Sequence, residues 1–328
     1  MFEELFSIDN LFYAWKKFKK GKSRRKDVIE FEYSLENNIF TLHADIISGI
    51  YRHGGYTYFQ VFDSKKRDIY KACIRDRIVH QAMYQYLHNV YNPIFIVDSY
   101  SSRTNKGNLK AVAACKYFIK LCSSHNSKKC FVLKCDIKKY FENIDHQILI
   151  KELSSKITCK KVLLIAEDII ESFPSDNTTQ KGIPLGNITS QIFANIYLHT
   201  LDIYIKNVLN CRYYARYNDD FVIINPSEMK LIKIREDIIK YVKNKLLLEI
   251  PYNKTSIRKN IWGIDFLGYI ILPTGTLLRN TTKHKIFINI TEKNFITYLG
   301  LLKWCNSYEL KQKIISKYIN KESDSLDT

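Results

Sequence analysis

The spacing of apolar residues changes several times between the helical pattern and the strand pattern. Apolar side chains recur every three or four positions over residues 31–46 and again over residues 231–246, which predicts two amphipathic helices. Asp27 precedes the first of these helices and is predicted to be its N-cap. Further helices are predicted to contain residues 75–81, 108–123, 147–175 (as two helices) and 189–201.

Strand-like sequence occurs in shorter stretches. Residues 212–224 consist of two runs rich in Tyr, Val, Ile and Phe, separated by Asn218 and Asp219. Asn and Asp favour tight turns, so this stretch predicts a β-hairpin with Asp219 and Asp220 at its tip. Adjacent carboxylates repel each other, so a positive group is expected beside them. Two more hairpins are predicted, at residues 58–70 with a turn at 63–66, and at residues 262–272.

A third carboxylate stands at the end of another predicted strand. Residues 130–135 are mostly apolar, and Asp136 ends the run. If this strand lies beside the hairpin, the three acidic side chains form an oxygen-rich site of the kind that Mg²⁺ prefers. The alternative is that Asp136 caps the helix that follows it.

The composition favours a folded protein with a polyanionic partner. The chain has 328 residues, of which 46% are hydrophobic, and a formal net charge of +18. A solvated basic surface without a partner is the alternative. No apolar run approaches the ~20 residues of a spanning helix, and the acidic start Met1–Glu4 does not resemble a secretory signal, so no membrane is expected. The eight cysteines form no Cys-x-x-Cys pair, which indicates reduced thiols in the cytoplasm.

Residues 16–26 form a basic run in which Trp15 and Phe18 are interleaved. Such runs are often solvated helix faces. The aromatic residues and the overall charge instead favour contact with an RNA backbone. The positions predicted to bind nucleic acid here are Lys16, Lys19, Arg24 and Arg25.

Four motifs together resemble those of reverse transcriptases. The segment Tyr217-Asn218-Asp219-Asp220 resembles their Tyr-x-Asp-Asp box, and Asp136 with Phe141 resembles their first palm motif. Residues 182–195 resemble the motif between these two, and Phe266-Leu267-Gly268-Tyr269 resembles the motif after the palm. The motifs follow the order and spacing of the family, and the resemblance covers roughly residues 14 to 290.

The resemblance implies an α+β, right-hand polymerase fold with fingers, a palm built from an antiparallel sheet plus helices, and a small helical thumb. The expected division is a basic N-terminal helical extension (1–55), fingers (56–130), palm (131–280, with 151–180 contributing to the fingers) and thumb (281–328).

The resemblance also implies a mechanism. Asp136, Asp219 and Asp220 would hold two Mg²⁺ ions, for which Mn²⁺ can substitute, while a primer 3′-hydroxyl attacks the α-phosphate of a deoxynucleoside triphosphate. Lys254 occupies the place where a lysine would protonate the pyrophosphate, although a plain surface lysine is the alternative.

Other residues are assigned to the nucleotide by the same resemblance. Lys65 and Arg67 would hold the triphosphate, and Phe141 would act as a steric gate against a ribose 2′-hydroxyl. Lys181 occupies a position where many family members have Gln, which suggests unusual fidelity. The remaining predicted nucleotide contacts are Gly182, Pro184 and Tyr217.

The nucleic-acid strands would be contacted elsewhere. Arg77 belongs to a segment similar to the family's Asp-Arg-x-x-x-Gln/His motif, for which an internal salt-bridge network is the alternative. Arg103 and Lys106 lie in a polar loop that resembles a segment over the template, and Gly268 belongs to the motif after the palm.

The branch of the family is suggested by finer features. Residues 186–191 (Gly-Asn-Ile-Thr-Ser-Gln) and Asp98-Ser99-Tyr100 resemble the enzymes of diversity-generating retroelements. An antiphage defence enzyme that uses a structured non-coding RNA is one alternative, and a catalytically silent RNA-binding subunit is another. The expected partners are an RNA template, a DNA primer or cDNA, deoxynucleoside triphosphates, a structured RNA, and a small basic accessory protein or a second subunit.

Overall fold

The computed structural model describes residues 1–62, 66–173 and 180–316, and shows the expected α+β fold with antiparallel sheets. The α helices are α1 (Phe2–Leu5), α2 (Ile8–Lys19), α3 (Lys26–Tyr33), α4 (Leu35–Ile47), α5 (Ile74–Tyr91), α6 (Asn108–Cys122), α7 (His146–Ser154), α8 (Lys160–Glu171), α9 (Ile188–Tyr197), α10 (His199–Ile203), α11 (Glu228–Leu246), α12 (Asn280–Asn289) and α13 (Glu292–Leu302). The strands are β1 (Tyr56–Phe62), β2 (Lys66–Ala72), β3 (Phe131–Asp136), β4 (Tyr213–Tyr217), β5 (Asp220–Asn225), β6 (Thr255–Lys259), β7 (Ile264–Phe266), β8 (Tyr269–Leu272) and β9 (Gly275–Leu278).

The chain divides into two compact units, each made of separate stretches of sequence. The first contains Met1–Val97, Ile137–Tyr204 and Ile239–Ile250, and the second contains Asp98–Asp136, Ile205–Ile238 and Pro251–Thr328. No helix within the described residues is both long enough and apolar enough to span a bilayer.

The N-terminal helices of the first unit correct three expectations. Trp15 and Phe18 are buried, and the ring of Trp15 packs on Phe18 and Phe31. These aromatic rings therefore stabilise the helical extension and are not exposed for RNA, because the apolar face of α2 needs a core to cover it. The predicted helix over residues 31–46 is two helices, α3 and α4, which meet at Ser34. Asp27 is not the N-cap but lies in the first turn of α3, where it pairs with Lys71 at 2.5 Å.

The predicted hairpin at residues 58–70 is confirmed as the two-stranded sheet β1–β2. The loop of residues 185–187, in the same unit, is hydrogen-bonded to β2. The backbone N–H of Tyr70 donates to the Leu185 carbonyl (3.0 Å), and Asn187 Nδ2 donates to the Tyr70 carbonyl (2.8 Å). Between them Gly186 has φ 118°, and a Cβ there would lie 2.7 Å from Ile69 Cγ2. Only glycine fits this contact without strain.

The second unit is built on a four-stranded antiparallel sheet with the strand order β4-β5-β3-β6. One face packs on α6 through apolar residues such as Val132, Val222 and Ile224, because alternate residues of a strand face the same side. The prediction for residues 262–272 is confirmed: β7 and β8 pair around Leu267 and Gly268, and β9 extends this hairpin to a three-stranded sheet. Both turn residues have positive φ, as a type I′ hairpin turn requires.

Replacing Gly186 by alanine should destabilise the protein by about 1–3 kcal/mol, because a residue with a Cβ is strained at this φ and meets Ile69. Gly55 is a matched control, since no heavy atom lies within 4 Å of its Cβ position. We expect Gly55→Ala to change stability by less than about 1 kcal/mol. Urea unfolding measures both. Equal stabilities of the two variants would contradict the close packing of Gly186 on β2.

Candidate active site

Three aspartates meet at one end of the four-stranded sheet. Asp136 is the last residue of β3 and is paired in the ladder with Asp220, the first residue of β5. Asp219 precedes Asp220 in the two-residue turn between β4 and β5. Residues paired in an antiparallel ladder have Cα atoms about 4.5–5.5 Å apart. The structure therefore places Asp136 beside Asp220 in the ladder, with Asp219 next to Asp220 in the turn.

The alternative role of Asp136 as a helix cap is wrong. The next α helix, α7, begins after Asp145, whose Oδ1 accepts a hydrogen bond from the Ile148 backbone N–H at 3.1 Å. Asp136 itself ends β3, and its carboxylate accepts a hydrogen bond from a lysine.

The hairpin tip that carries Asp219 is held from both sides. Asn218 has φ 53°, which asparagine tolerates, and its Oδ1 accepts a hydrogen bond from Ser101 Oγ at 2.6 Å. Arg216 is fully buried and donates from Nη1 to the Asn218 carbonyl and from Nη2 to Ser99 Oγ, both at 3.2 Å. Sequence reasoning missed both Ser101 and Arg216 as positioning residues. An arginine inside an otherwise apolar strand was the one available signal.

Two lysines face the carboxylates. Lys134 Nζ lies 3.4 Å from Asp220 Oδ2, and Lys254 Nζ donates to Asp136 Oδ1 at 3.2 Å. Lys134 reaches Asp220 because it is two residues before Asp136 on the same face of β3, and is therefore a diagonal neighbour of Asp220. The positive group expected beside the aspartates is present, and Lys134 had not been identified from sequence.

The environment of Asp220 disfavours its charge. Burial is the main cause that raises the pKa of Asp220 to about 7, and the negative charges of Asp219 and Asp136 raise it further, while Lys134 opposes them. The Oδ1 atom of Asp220 is buried and has no hydrogen-bond partner among the described residues. An unpaired buried carboxylate oxygen is costly, and a cation is the partner that would satisfy it.

A divalent cation fits this site because the atoms that would bind it are carboxylate oxygens. Carboxylate oxygens are the ligands that hard divalent cations prefer. Across residues 1–62, 66–173 and 180–316, no three His, Cys, Asp or Glu side chains are already gathered as a metal-binding group. Two of the three aspartates face lysines, whose positive charges offset part of the repulsion between the carboxylates.

Several residues predicted to contact the nucleotide are gathered in the first unit. Phe141 is half-buried, and its carbonyl accepts a hydrogen bond from the Ile183 N–H at 2.9 Å. The Gly182 N–H donates to the Ile144 carbonyl at 2.8 Å, and Lys181 forms an isolated β-bridge with Asp145. Backbone bonds thus fix Phe141 and the loop that starts at Lys181 beside each other.

The other residues of the predicted nucleotide set are less closely connected. The Pro184 carbonyl accepts a hydrogen bond from Ser190 Oγ at 2.6 Å, which holds the loop onto the start of α9. Arg67 is exposed on β2, and Lys65 lies outside the described residues. Tyr217, in the second unit, is half-buried and pairs with Asp220 across β4 and β5.

The predicted nucleic-acid contacts of the first unit differ in exposure. Lys16, Arg24 and Arg25 are exposed, whereas Lys19 forms an ion pair with Glu32. The salt-bridge alternative holds for Arg75, which pairs with Asp45 at 2.8 Å and with Asp76 at 3.4 Å. Arg77 is different: its guanidinium lies 4.6 Å from the centre of the Phe18 ring.

The corresponding residues of the second unit have structural contacts. Arg103 Nη1 donates to the Ser99 carbonyl at 3.0 Å, and Lys106 Nζ lies 4.9 Å from the centre of the Tyr100 ring. Gly268 forms the β7–β8 turn, and its carbonyl accepts a hydrogen bond from the Arg279 N–H at 2.9 Å.

Comparisons with known proteins agree on the family. The family model described as reverse transcriptase (RNA-dependent DNA polymerase) matches residues 60–271. The putative COX1/OXI3 intron 2 protein of Saccharomyces cerevisiae is 25% identical over 260 residues, which cover 61% of this chain and 30% of that protein. The group II intron-encoded protein LtrA of Lactococcus lactis subsp. cremoris is 24% identical over 293 residues, covering 69% of this chain and 48% of that protein.

The fold is shared with solved structures as well. A telomerase from Candida albicans, in complex with the TWJ fragment of telomeric RNA, superposes with a TM-score of 0.52 at 12% identity and covers 80% of this chain and 54% of that chain. The chain thus spans about half or less of the length of these similar proteins.

The pKa of Asp220 is a direct test of the site. We expect its carboxyl group to be neutral below about pH 7 and charged above it. Lys134→Met should raise this pKa, because it removes a nearby positive charge, and Asp219→Asn should lower it. Carbon-13 NMR titration of labelled aspartate in the metal-free protein measures these values. Lys129→Met, which removes an exposed lysine, is the control; an Asp220 pKa near 4 in the unaltered protein would refute the described environment.

Proposed function

The chain belongs to the reverse transcriptase family, and we propose that it is an RNA-directed DNA polymerase that synthesises cDNA from a dedicated RNA template. The observation that carries the proposal is the pairing of Asp136 with Asp220 in one ladder, with Asp219 adjacent to Asp220. A set of acidic side chains at one end of a sheet supports metal-assisted nucleotidyl transfer, which uses oxygen ligands of this kind.

Asp136, Asp219 and Asp220 are the residues that would hold two Mg²⁺ ions, or Mn²⁺ in their place. Bound divalent ions supply activation of the attacking 3′-hydroxyl and neutralisation of the leaving pyrophosphate. The unpartnered Oδ1 of Asp220 supports this role, because the fold leaves it buried and without a donor among the described residues. The ladder β3–β5 fixes the spacing of Asp136 and Asp220, so that little reorganisation is needed.

The lysines have two different roles in this proposal. Lys134 holds the Asp220 carboxylate in position and favours its charged form, since a positive charge beside it opposes the effect of burial. Lys254 contacts Asp136 from the 3₁₀ turn just before β6, and in this proposal its ammonium group donates a proton to the pyrophosphate as it leaves.

The nucleotide is bound, in our proposal, by residues of the β1–β2 hairpin and of the loop bonded to it. Lys65 and Arg67 hold the triphosphate by charge. Phe141 presents its ring to the sugar and excludes a ribose 2′-hydroxyl, while Tyr217 supports the nucleotide from β4. The loop of Lys181, Gly182 and Pro184 completes this set, and its backbone bonds to Phe141 and Ile144 support a fixed surface there.

The template and the growing strand are bound by basic and turn residues that act on the phosphate backbone. The net charge of +18 supports a polyanionic partner. The proposed contacts are Lys16, Lys19, Arg24, Arg25, Arg77, Arg103, Lys106 and Gly268. A structured non-coding RNA, and a small basic accessory protein or second subunit, are further proposed partners.

The finer assignment is to the type found in diversity-generating retroelements. It is supported by the sequence of residues 186–191 and of Asp98-Ser99-Tyr100. Both motifs also have structural roles. Asn187 donates a hydrogen bond to the Tyr70 carbonyl of β2, and Ser99 Oγ accepts one from Arg216. An antiphage defence enzyme is the second candidate, since the same motifs suit it. The identity of the RNA that copurifies with the protein distinguishes the two.

Activity should depend on the aspartates. In primer extension on an RNA template with Mg²⁺, Asp219→Ala should lower the rate about a thousandfold or more, because a lost ligand removes several kcal/mol of transition-state stabilisation. Glu236→Gln, which removes an exposed carboxylate of α11, should leave the rate unchanged. No Mg²⁺-dependent incorporation by the unaltered protein, with Asp219→Ala indistinguishable from it, would favour the silent RNA-binding subunit.

Sugar selection should depend on Phe141. We expect Phe141→Ala to raise incorporation of ribonucleotides relative to deoxynucleotides by about tenfold to a hundredfold, since a steric contact of this size discriminates by about 1–3 kcal/mol. Phe141→Tyr keeps the ring and should keep the preference. The ratio of kcat/KM for the two nucleotides measures the effect. An unchanged ratio in Phe141→Ala would show that the ring does not contact the sugar.

A further inference from the structure

A cavity in the first unit has no role in the chemistry described above. Its volume is about 330 Å³, and its walls come from the end of α2, the turn that follows it, α5, and the loop that leads into α9. The residues that matter here are Phe18, Lys22, Arg77 and Gln81 on one part of the wall, and Asn187 and Gln191 on another. The volume lies at the lower end of the ~300–1,000 Å³ typical of small-ligand pockets.

The cavity wall carries two basic side chains, Lys22 and Arg77. Lys22 Nζ and Arg77 Cζ each lie 4.6 Å from the centre of the same Phe18 ring. None of the described residues lining the cavity is an aspartate or a glutamate. Asp27, whose charge acts on Arg77, is itself paired with Lys71 at 2.5 Å. Two cations are therefore held around one aromatic ring beside a carboxylate that is already neutralised.

The side chain of Arg77 also has an unsatisfied donor. Its Nη1 atom is buried and has no hydrogen-bond partner among the described residues. Burial, and then the positive charge of Arg25, lower the pKa of Arg77, and burial followed by Arg77 and Arg25 lowers that of Lys22. Burial and the neighbouring positive charges thus both disfavour the charged forms of these two side chains. A buried donor on a charged group is costly unless a ligand accepts from it.

The neighbouring histidine does not offset the positive charges of Lys22 and Arg77. His80 lines the cavity, is fully buried, and has its pKa lowered well below the usual value by burial and by the His53 and Arg77 charges. Its Nδ1 is bonded to Thr189 Oγ1 at 2.7 Å, and its Nε2 to His53 at 2.9 Å. His80 is thus a neutral wall residue, and Lys22 and Arg77 remain the groups that define the ligand.

From these contacts we infer that the cavity is a phosphate-binding site, in which Arg77 and Lys22 grip one nucleotide phosphate. A guanidinium suits phosphate oxygens because it offers several donors in one plane, and the ammonium of Lys22 adds a point charge. This inference rests on the proposed function, since it names a contact of the proposed RNA partner. The phosphate comes either from the backbone of an RNA strand or from a free nucleotide.

The amide side chains of the cavity wall determine the shape of the site more than its affinity for phosphate. Both ends of the Asn187 amide are already used, by the Tyr70 carbonyl and the Ala72 N–H. Asn187 therefore fixes the loop that closes the cavity. Gln81 is one turn beyond Arg77 on the same face of α5, within reach of a sugar or base attached to the bound phosphate.

Salt dependence of RNA binding tests the inference without any catalysis. A fluorescent single-stranded 12-nucleotide RNA is bound by the full chain without metal ions or nucleotides, and its affinity is followed by anisotropy over a range of salt concentrations. Each phosphate contact contributes about 0.7 to the slope of log K against log salt for single strands. We expect Lys22→Gln with Arg77→Gln to reduce the slope by about 0.7 and to weaken binding at every salt concentration.

The matched control removes the same charge elsewhere. Lys243→Gln with Lys245→Gln changes two exposed lysines at the end of α11 and should keep the slope of the unaltered protein. Arg77→Lys keeps the charge but loses the planar donors, so we expect it to keep the slope while binding the RNA less tightly. The single variant Lys22→Gln, at a half-exposed position, and thermal melting of each variant separate loss of the site from loss of the fold.

A second arm identifies the source of the phosphate. Binding of adenosine 5′-monophosphate is measured by calorimetry with the same variants. Loss of this binding in Lys22→Gln with Arg77→Gln, with an unchanged RNA slope, assigns the site to a free nucleotide. If neither the slope nor nucleotide binding changes in folded variants, the inference is overturned. Because no step requires DNA synthesis, inactive protein with an altered slope would contradict the proposed polymerase and leave the phosphate site intact.

Discussion

The register between β3 and β5 is the constraint on which the candidate active site depends. Side chains of a strand alternate between faces, so a shift of one residue would move Asp136 and Lys134 together to the other side of the sheet. The register is specified by apolar residues farther along the same face, because Val132, Val222 and Ile224 pack on α6 and lie two or four positions from Asp136 or Asp220. Packing of ordinary hydrophobic side chains thus determines the position of carboxylates that gain nothing from being near each other.

The acidic cluster is destabilising in itself, and the fold offsets this with fixed positive groups. Lys134 and Lys254 each face one carboxylate, while the buried Arg216 holds the turn below Asp219. These cations come from β3, from β4 and from the residue before β6, so the compensation depends on three separate segments of the chain. Removal of one partner leaves a charge with less compensation, and such losses cost more than the pair contributes. The site is therefore sensitive to residues that are not acidic.

Local signals predicted most elements and the three aspartates, but not their surroundings. The hairpin of residues 212–224 was predictable because Asn218 and Asp219 suit a tight turn, and Asp136 because an apolar run ends there. Sequence could not show that Trp15 and Phe18 are buried. The apolar face of a basic amphipathic helix is buried only where other elements pack against it, and that packing is not visible in the local pattern. It also could not show that Asp27 pairs with Lys71, because that contact depends on tertiary packing across 44 positions.

The loop around Gly186 contains two glycines and is held by hydrogen bonds on two sides. Its backbone is bonded to Tyr70 of β2 on one side, and residues 182–183 are bonded to the Phe141–Ile144 segment on the other. Glycine is required because Ile69 is too close for a Cβ, so the residue serves close packing and not mobility. The same loop, through Asn187, closes the cavity of Arg77 and Lys22. A phosphate bound there would stabilise the loop in the position in which it supports the β1–β2 hairpin, and would link the inferred phosphate site to the surface proposed to bind the nucleotide.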